Sequence, residues 1–194
     1  MDALQQYVVP CALGVGLAAA CGLRVFLPLF VTSLLQHFNV VDFGTRAGFE
    51  WIGDWPALIS FGVASVVEVL SYYIPVVDHF LDTIAIPLAA IAGTLVSASL
   101  LADMPPLFTW SFAIIAGGGM AGAVSAGTAT TRLASTATTA GLGNSIVATG
   151  ETAGSLLISL LAWVVPLLVC AVVVLLLMWV VRRLLRSRTS SRTP

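Results

Sequence analysis

Apolar residues run almost without interruption along this chain, and the few polar positions fall between the runs or singly inside them. Runs of roughly 20 apolar residues are what a helix needs to cross the hydrocarbon core of a bilayer. The first run, 8–38, is punctuated by Gly22, Arg24 and Pro28. As one straight helix it would exceed roughly 40 Å at about 1.5 Å per residue, more than a bilayer core needs. It must therefore tilt, kink or fold back, and the pattern predicts a break within 22–28. The segment "NVVDFGTRAGFEWIGDWP" (39–56) mixes acids and Arg46 with Phe and Trp, the composition of a loop lying at a membrane interface, with His37 beside it.

A second span is expected from Ala57 to Ile74, carrying Glu68, and a third from Ile84 to Leu101, with Asp78, His79 and Asp82 in a short polar connection between them. From Leu107 the chain turns to small residues, and 126–144 adds many threonines around Arg132. That stretch is too polar to face lipid and reads as protein-packed backbone at membrane depth. Residues 152–181 carry no charge and are interrupted only by Pro166, so they form one long tilted helix or two spans meeting at the proline.

Composition agrees with lipid as the solvent: 59% of residues are hydrophobic, 9% are charged and the mean hydropathy is +1.04. The expected fold is an all-α, polytopic transmembrane bundle of five to six spans. It forms a single domain over 1–186, with halves of about 8–101 and 107–182 and a basic tail at 187–194. Arg182, Arg183, Arg186, Arg188 and Arg192 are five of the eight basic residues. By the positive-inside rule this end is cytoplasmic, and the protein is expected to be multi-pass in an inner membrane. Asp2 stands where a signal peptide would be basic, so a cleaved signal is not expected. Cys11, Cys21 and Cys170 lie in apolar runs without metal-ligand or paired spacing and read as packing residues.

Two stretches repeat a pattern. "GLAAACGLRVFLP" (16–28) and "AGAVSAGTATTRL" (121–133) each run through small residues to a glycine, Gly22 or Gly127, and then to an arginine, Arg24 or Arg132; each is followed by an intramembrane glutamate, Glu68 or Glu151. Three spans per half would give the halves opposite orientations, the inverted-repeat design with broken or re-entrant helices that places a binding site at the repeat interface.

A charge at the bilayer centre costs about 2.5–3.5 kcal/mol on insertion scales, so each of these four residues should face a partner or a watery cavity. One reading has two Arg–Glu pairs locking the bundle. The other gives the arginines to a small anion or a phosphate-bearing lipid headgroup. Helices broken at Gly22 and Gly127 would then supply backbone N–H groups, Thr128, Thr130 and Thr131 would supply hydroxyls, and the glutamates would couple or tune the site. Asp78, His79 and Asp82 form a weak metal signature better read as a solvated acidic cluster. No nucleophile triad, HExxH, phosphate loop or paired-cysteine motif is present, so neither an enzyme nor a cofactor or metal is expected, and nothing points to nucleic acid.

The segments "GLAAACGLRVFLPLF", "GFEWIGDWPALI", "VVEVLSYYIPVVDHFLD" and "GNSIVATGETAGSLLISLLAWVVPLL" together resemble a bacterial membrane-protein family labelled domain of unknown function 4126, over roughly 8–182. The resemblance implies a small multispan inner-membrane protein and no established activity. Family members tend to carry an acidic pair where this chain has Glu151–Thr152, which speaks against a two-carboxylate ion site here. The expectation is a transporter or channel in the lipid bilayer, assembled as a homo-oligomer, or else a non-transporting scaffold with structural Arg–Glu pairs.

Overall fold

The computed structural model describes residues 7–40, 48–139, 141 and 143–190, with the side chains of 75–80, 82 and 183–190 outside that description. All regular structure among the described residues is helical. In order the elements are α1 (Val9–Leu23), α2 (Phe26–His37), a 3₁₀ turn (Glu50–Gly53), α3 (Trp55–Ser71), α4 (Pro75–Leu100), α5 (Pro106–Phe112), a π-helical stretch (Ala113–Gly118), α6 (Gly119–Thr139), α7 (Asn144–Val164) and α8 (Pro166–Ser190). Three stretches, Thr83–Leu100, Pro106–Thr139 and Asn144–Val164, are long and apolar enough to cross a membrane; Val9–Leu23, Phe26–His37, Trp55–Ser71 and Pro166–Arg182 are shorter apolar helices.

The bundle is organised around α1, which packs against α4, α6, α7 and α8 and is buried from Ala12 through Gly22. Its run of alanine and glycine presents almost no side-chain bulk, so neighbouring backbones come close. A Cβ added at Gly22 would lie 2.5 Å from the Val124 Cβ and 2.6 Å from the Ala121 carbonyl oxygen of α6. Close approach of this kind is how helices gain dispersion contact where lipid removes any hydrophobic drive to associate.

Helix α7 shows the consequence for sequence pattern. Its buried positions, Asn144, Ala148, Glu151, Ser155, Ser159 and Ala162, recur at helical spacing and are small or polar, while Leu157, Leu160, Leu161 and Val164 are exposed. Small and polar groups line the side packed in the bundle and large apolar ones the exposed side. Serines stitch the helices by donating to backbone carbonyls across the interface: Ser155 Oγ to Ala20 at 3.0 Å, and Ser97 Oγ to Gly14 at 3.2 Å.

The first apolar run is broken where the glycine–leucine–arginine step predicts. Arg24 is extended (φ −143°, ψ 125°), ending α1, and α2 begins at Phe26. Pro28 falls in the first turn of α2, where a missing N–H leaves no intrahelical bond unmade. The uncharged stretch 152–181 resolves into two helices, because Pro166 cannot donate to the α7 ladder and starts α8 instead.

Two expectations are corrected. Helix α6 runs unbroken through Gly127; the irregular backbone of this half is the π-helical stretch at Ala113–Gly118, packed on α4. Asp78, His79 and Asp82 are not in a loop: the backbone there is the first part of α4, which starts at Pro75, and the side chains of Asp78, His79 and Asp82 lie outside the described residues.

The described residues between α2 and α3 are tied back to α2, whereas residues 41–47 of the 39–56 segment lie outside the described set. His37 Nδ1–H donates to the Gly53 carbonyl at 2.8 Å, and the ring packs edge-on to Trp55. Ser33 Oγ donates to the Ile52 carbonyl, tying the 3₁₀ turn to α2.

Candidate functional site

The helix break and two buried acids, Glu68 and Glu151, define the polar centre. Ending α1 at Leu23 releases the Arg24 side chain toward α7 and leaves the first N–H groups of α2 without intrahelical acceptors. The Val25 N-cap side chain makes no capping bond. Glu68, on α3, fills that role: one carboxylate oxygen accepts from Val25 N–H at 2.7 Å and the other from Phe26 N–H at 3.0 Å. A carboxylate at a helix N-terminus is favoured by both hydrogen bonding and the local dipole.

Arg24 is 1% exposed, the largest fully buried side chain among the described residues. Its Nε donates to Thr152 Oγ1 at 2.9 Å and its Nη2 to the Ala148 carbonyl at 2.7 Å, with Glu151 Oε2 at 3.6 Å from Nη2. Its Nη1 is buried without a hydrogen-bond partner. Arg132, buried on α6, forms a forked ion pair with both oxygens of the same Glu151, through Nε and Nη2. Both guanidinium carbons lie over the Tyr72 ring, 4.0 Å from its centroid for Arg24 and 3.9 Å for Arg132. An aromatic face near a desolvated guanidinium is worth about 2 kcal/mol, so Tyr72 compensates part of the cost of burying two cations.

Arg24, Arg132, Glu68 and Glu151 are therefore brought together from the α1–α2 break, α6, α3 and α7. They do not form two separate Arg–Glu pairs. Glu151 is shared by both arginines, and Glu68 is held by backbone amides. A cavity of about 10 Å³ beside Glu68 is lined in part by Tyr72, Ser125, Thr128 and Arg132. That is room for about one water.

The threonine hydroxyls expected to serve the arginines are spent within α6: Thr128 donates to Ser125, Thr130 to Ala126 and Thr131 to Gly127. Thr128 borders both the small cavity and a groove of about 550 Å³ lined mainly by aliphatic residues of α6, α7 and α8, whereas Thr131 borders the groove alone. Among the described residues no cluster of His, Cys, Asp and Glu is arranged to hold a metal.

The family model described as Domain of unknown function (DUF4126) matches residues 11–186. The chain belongs to that family. No curated protein and no solved structure matches it. In this DUF4126 member the residue after Glu151 is Thr152, and its position explains why a neutral side chain is accommodated. Its hydroxyl accepts from Arg24 Nε while donating to the Ala148 carbonyl at 2.8 Å, so it satisfies the guanidinium without adding charge.

Two site residues escaped the sequence reading, Tyr72 and Thr152. Tyr72 lies four positions after Glu68, the spacing that puts two side chains on one helical face, so the intramembrane acid already pointed to it. Thr152 stood out only as the neutral residue at the family's acidic pair, which gives no hint that it meets Arg24.

Proposed function

We propose that this protein is a small multispan membrane transporter or channel for a small anion, captured with its polar centre closed. In this reading there are six spans: α1–α2 as one broken span, α3, α4, α5–α6, α7 and α8. They form two inverted halves that meet at Arg24 and Arg132, with the arginine-rich end of α8 on the cytoplasmic side of an inner membrane and the bundle assembled as a homo-oligomer.

One observation carries the proposal. A broken helix in mid-bundle offers its N-terminal amides to a carboxylate, beside an arginine with an unpartnered buried Nη1. Breaking a helix at membrane depth is costly unless the freed backbone serves a cavity or a ligand. The small enclosure beside Glu68 favours a compact anion over a lipid headgroup.

The second reading, a non-transporting scaffold, is favoured by the forked Arg132–Glu151 pair, which closes the centre on itself. Proteoliposome anion flux measured alongside folded yield for Arg24→Gln separates the two. Transport predicts folded protein with flux lost. Loss of folding with no separable flux defect favours the scaffold.

A further inference from the structure

A groove of about 550 Å³ lies between α6 and α8, over Ala19 and Leu23 of α1 and Ile158 and Leu161 of α7. That volume falls in the range of about 300–1,000 Å³ of small-molecule sites. The side-chain polar groups lining it are the hydroxyls of Thr128 and Thr131, both already donating within α6. Such a lining suits a hydrocarbon chain. At Gly127, in the α6 wall, nothing lies within 4 Å of an added Cβ, so the groove stays open there.

Length and width narrow the occupant. On α8 the lining runs from Leu168 to Val180, roughly 18 Å at about 1.5 Å per residue. One leaflet of a bilayer core is about 15 Å deep, so the groove matches an acyl chain standing in a leaflet. Spread over that length, the volume gives a mean section of roughly 30 Å², whereas a helix about 10 Å across needs roughly 80 Å². A helix from a second copy of the chain is too wide to enter it.

Charge identifies the headgroup. Val180, the last residue lining the groove, stands two positions before the exposed Arg182, and Arg183, Arg186 and Arg188 follow on α8. Residues 152–194 contain no acid to balance them. Basic clusters directly beyond an apolar helix attract anionic headgroups.

We propose that the groove between α6 and α8 holds an acyl chain of an anionic phospholipid whose headgroup meets Arg182 and the arginines after it. The inference rests on α8 being a span, as in the reading above, and not on anion transport. The chain completes the packing of α6, the helix that carries Arg132, against α8.

The test reconstitutes the full chain in vesicles of phosphatidylglycerol and phosphatidylcholine, in equal parts and with identical acyl chains. The protein is then extracted in mild detergent and weighed intact with its retained lipid by native mass spectrometry. Phosphatidylglycerol should be retained about tenfold over phosphatidylcholine. Gly127→Phe fills the groove from a position with free space and should cut retained lipid about tenfold in folded protein, whereas Gly127→Ala should keep it. Arg182→Gln with Arg183→Gln should abolish the preference between the two headgroups. Retained lipid in the bulk ratio and unaffected by Gly127→Phe is annular lipid only and overturns the proposal. A smaller assembly in Gly127→Phe with lipid retention unchanged places a second copy at the groove and overturns it too. Should Gly127→Phe not fold, Val172→Phe, from the exposed α8 wall, takes its place on the same terms. Anion flux without selective lipid retention overturns this site and leaves transport standing, whereas selective retention without flux does the reverse.

Discussion

Glu68 and Glu151 hold corresponding places in the sequence, each an acid inside an apolar helix downstream of a glycine and an arginine, yet the fold holds them by opposite means. Glu151 is fixed by charge: two guanidiniums from different parts of the chain converge on it. Glu68 is fixed by neutral backbone amides at a helix break. An acid held between buried cations cannot leave without stranding them. One held by amides can be replaced by any other acceptor of similar shape. The first arrangement suits a fixed element and the second a movable one.

Removing Glu151 should do the most damage. Glu151→Ala leaves two buried arginines without their shared counter-charge, and breaking such a pair from one side costs about 3–5 kcal/mol. The expected outcome is loss of folded protein in fluorescence-detected size exclusion. Combining it with Arg132→Leu should recover part of the loss, since the stranded cation is removed with its partner. A double variant as poor as the single would mean that Glu151 acts through something other than Arg132.

Glu68→Ala should be milder in folding terms, about 1.5–3 kcal/mol, because it forfeits charge-assisted hydrogen bonds to amides and strands no ion. Thermal unfolding in detergent ranks the two variants directly, and equal losses would erase the distinction between a fixed and a movable acid.

Gly22 and Gly127, which precede the two arginines in sequence, sharpen the same contrast. Gly22→Ala drives a methyl group against the Ala121 carbonyl and Val124 of α6, for a cost of about 1–3 kcal/mol, since backbone cannot yield as a flexible side chain does. At Gly127 nothing lies within 4 Å of an added Cβ. Gly127→Ala should therefore stabilise α6 by up to about 1 kcal/mol through helix propensity alone. Differential scanning of both variants checks the sign as well as the size.

These glycines also show what sequence can and cannot reveal. That Arg24, Arg132, Glu68 and Glu151 converge was legible, because lipid tolerates no unpartnered charge and leaves only the interior for them. The break near Arg24 was legible for a related reason: an apolar run of that length with an arginine and a proline cannot continue straight. The partners were not legible. Which acid meets which arginine depends on how helices distant in sequence rotate and cross. A backbone amide, which every residue has, leaves no mark in a sequence when it takes the place of a cation. Gly127 was misread because a glycine required by a near neighbour, as at Gly22, and one with open space around it look the same in the chain. The division at Pro166 was equally open, because a proline can kink a long helix or end it, and only the structure shows α7 ending at Val164 and α8 starting at Pro166.

A last contrast concerns two threonines that the sequence treats alike. Thr152 is the acceptor for Arg24 Nε, so Thr152→Val, nearly the same shape, leaves a buried donor unmet and should cost about 1–2 kcal/mol. Thr131 is exposed and donates to the Gly127 carbonyl of its own helix, a bond that helical threonines make without stabilising the helix. Thr131→Val should therefore stay within about 0.5 kcal/mol of the parent in thermal unfolding and leave anion flux unchanged. A flux defect in Thr131→Val with normal stability would move the anion path from the Arg24 and Glu68 side of α6 to the aliphatic groove that Thr131 borders. It would thereby break the link between the helix break and transport.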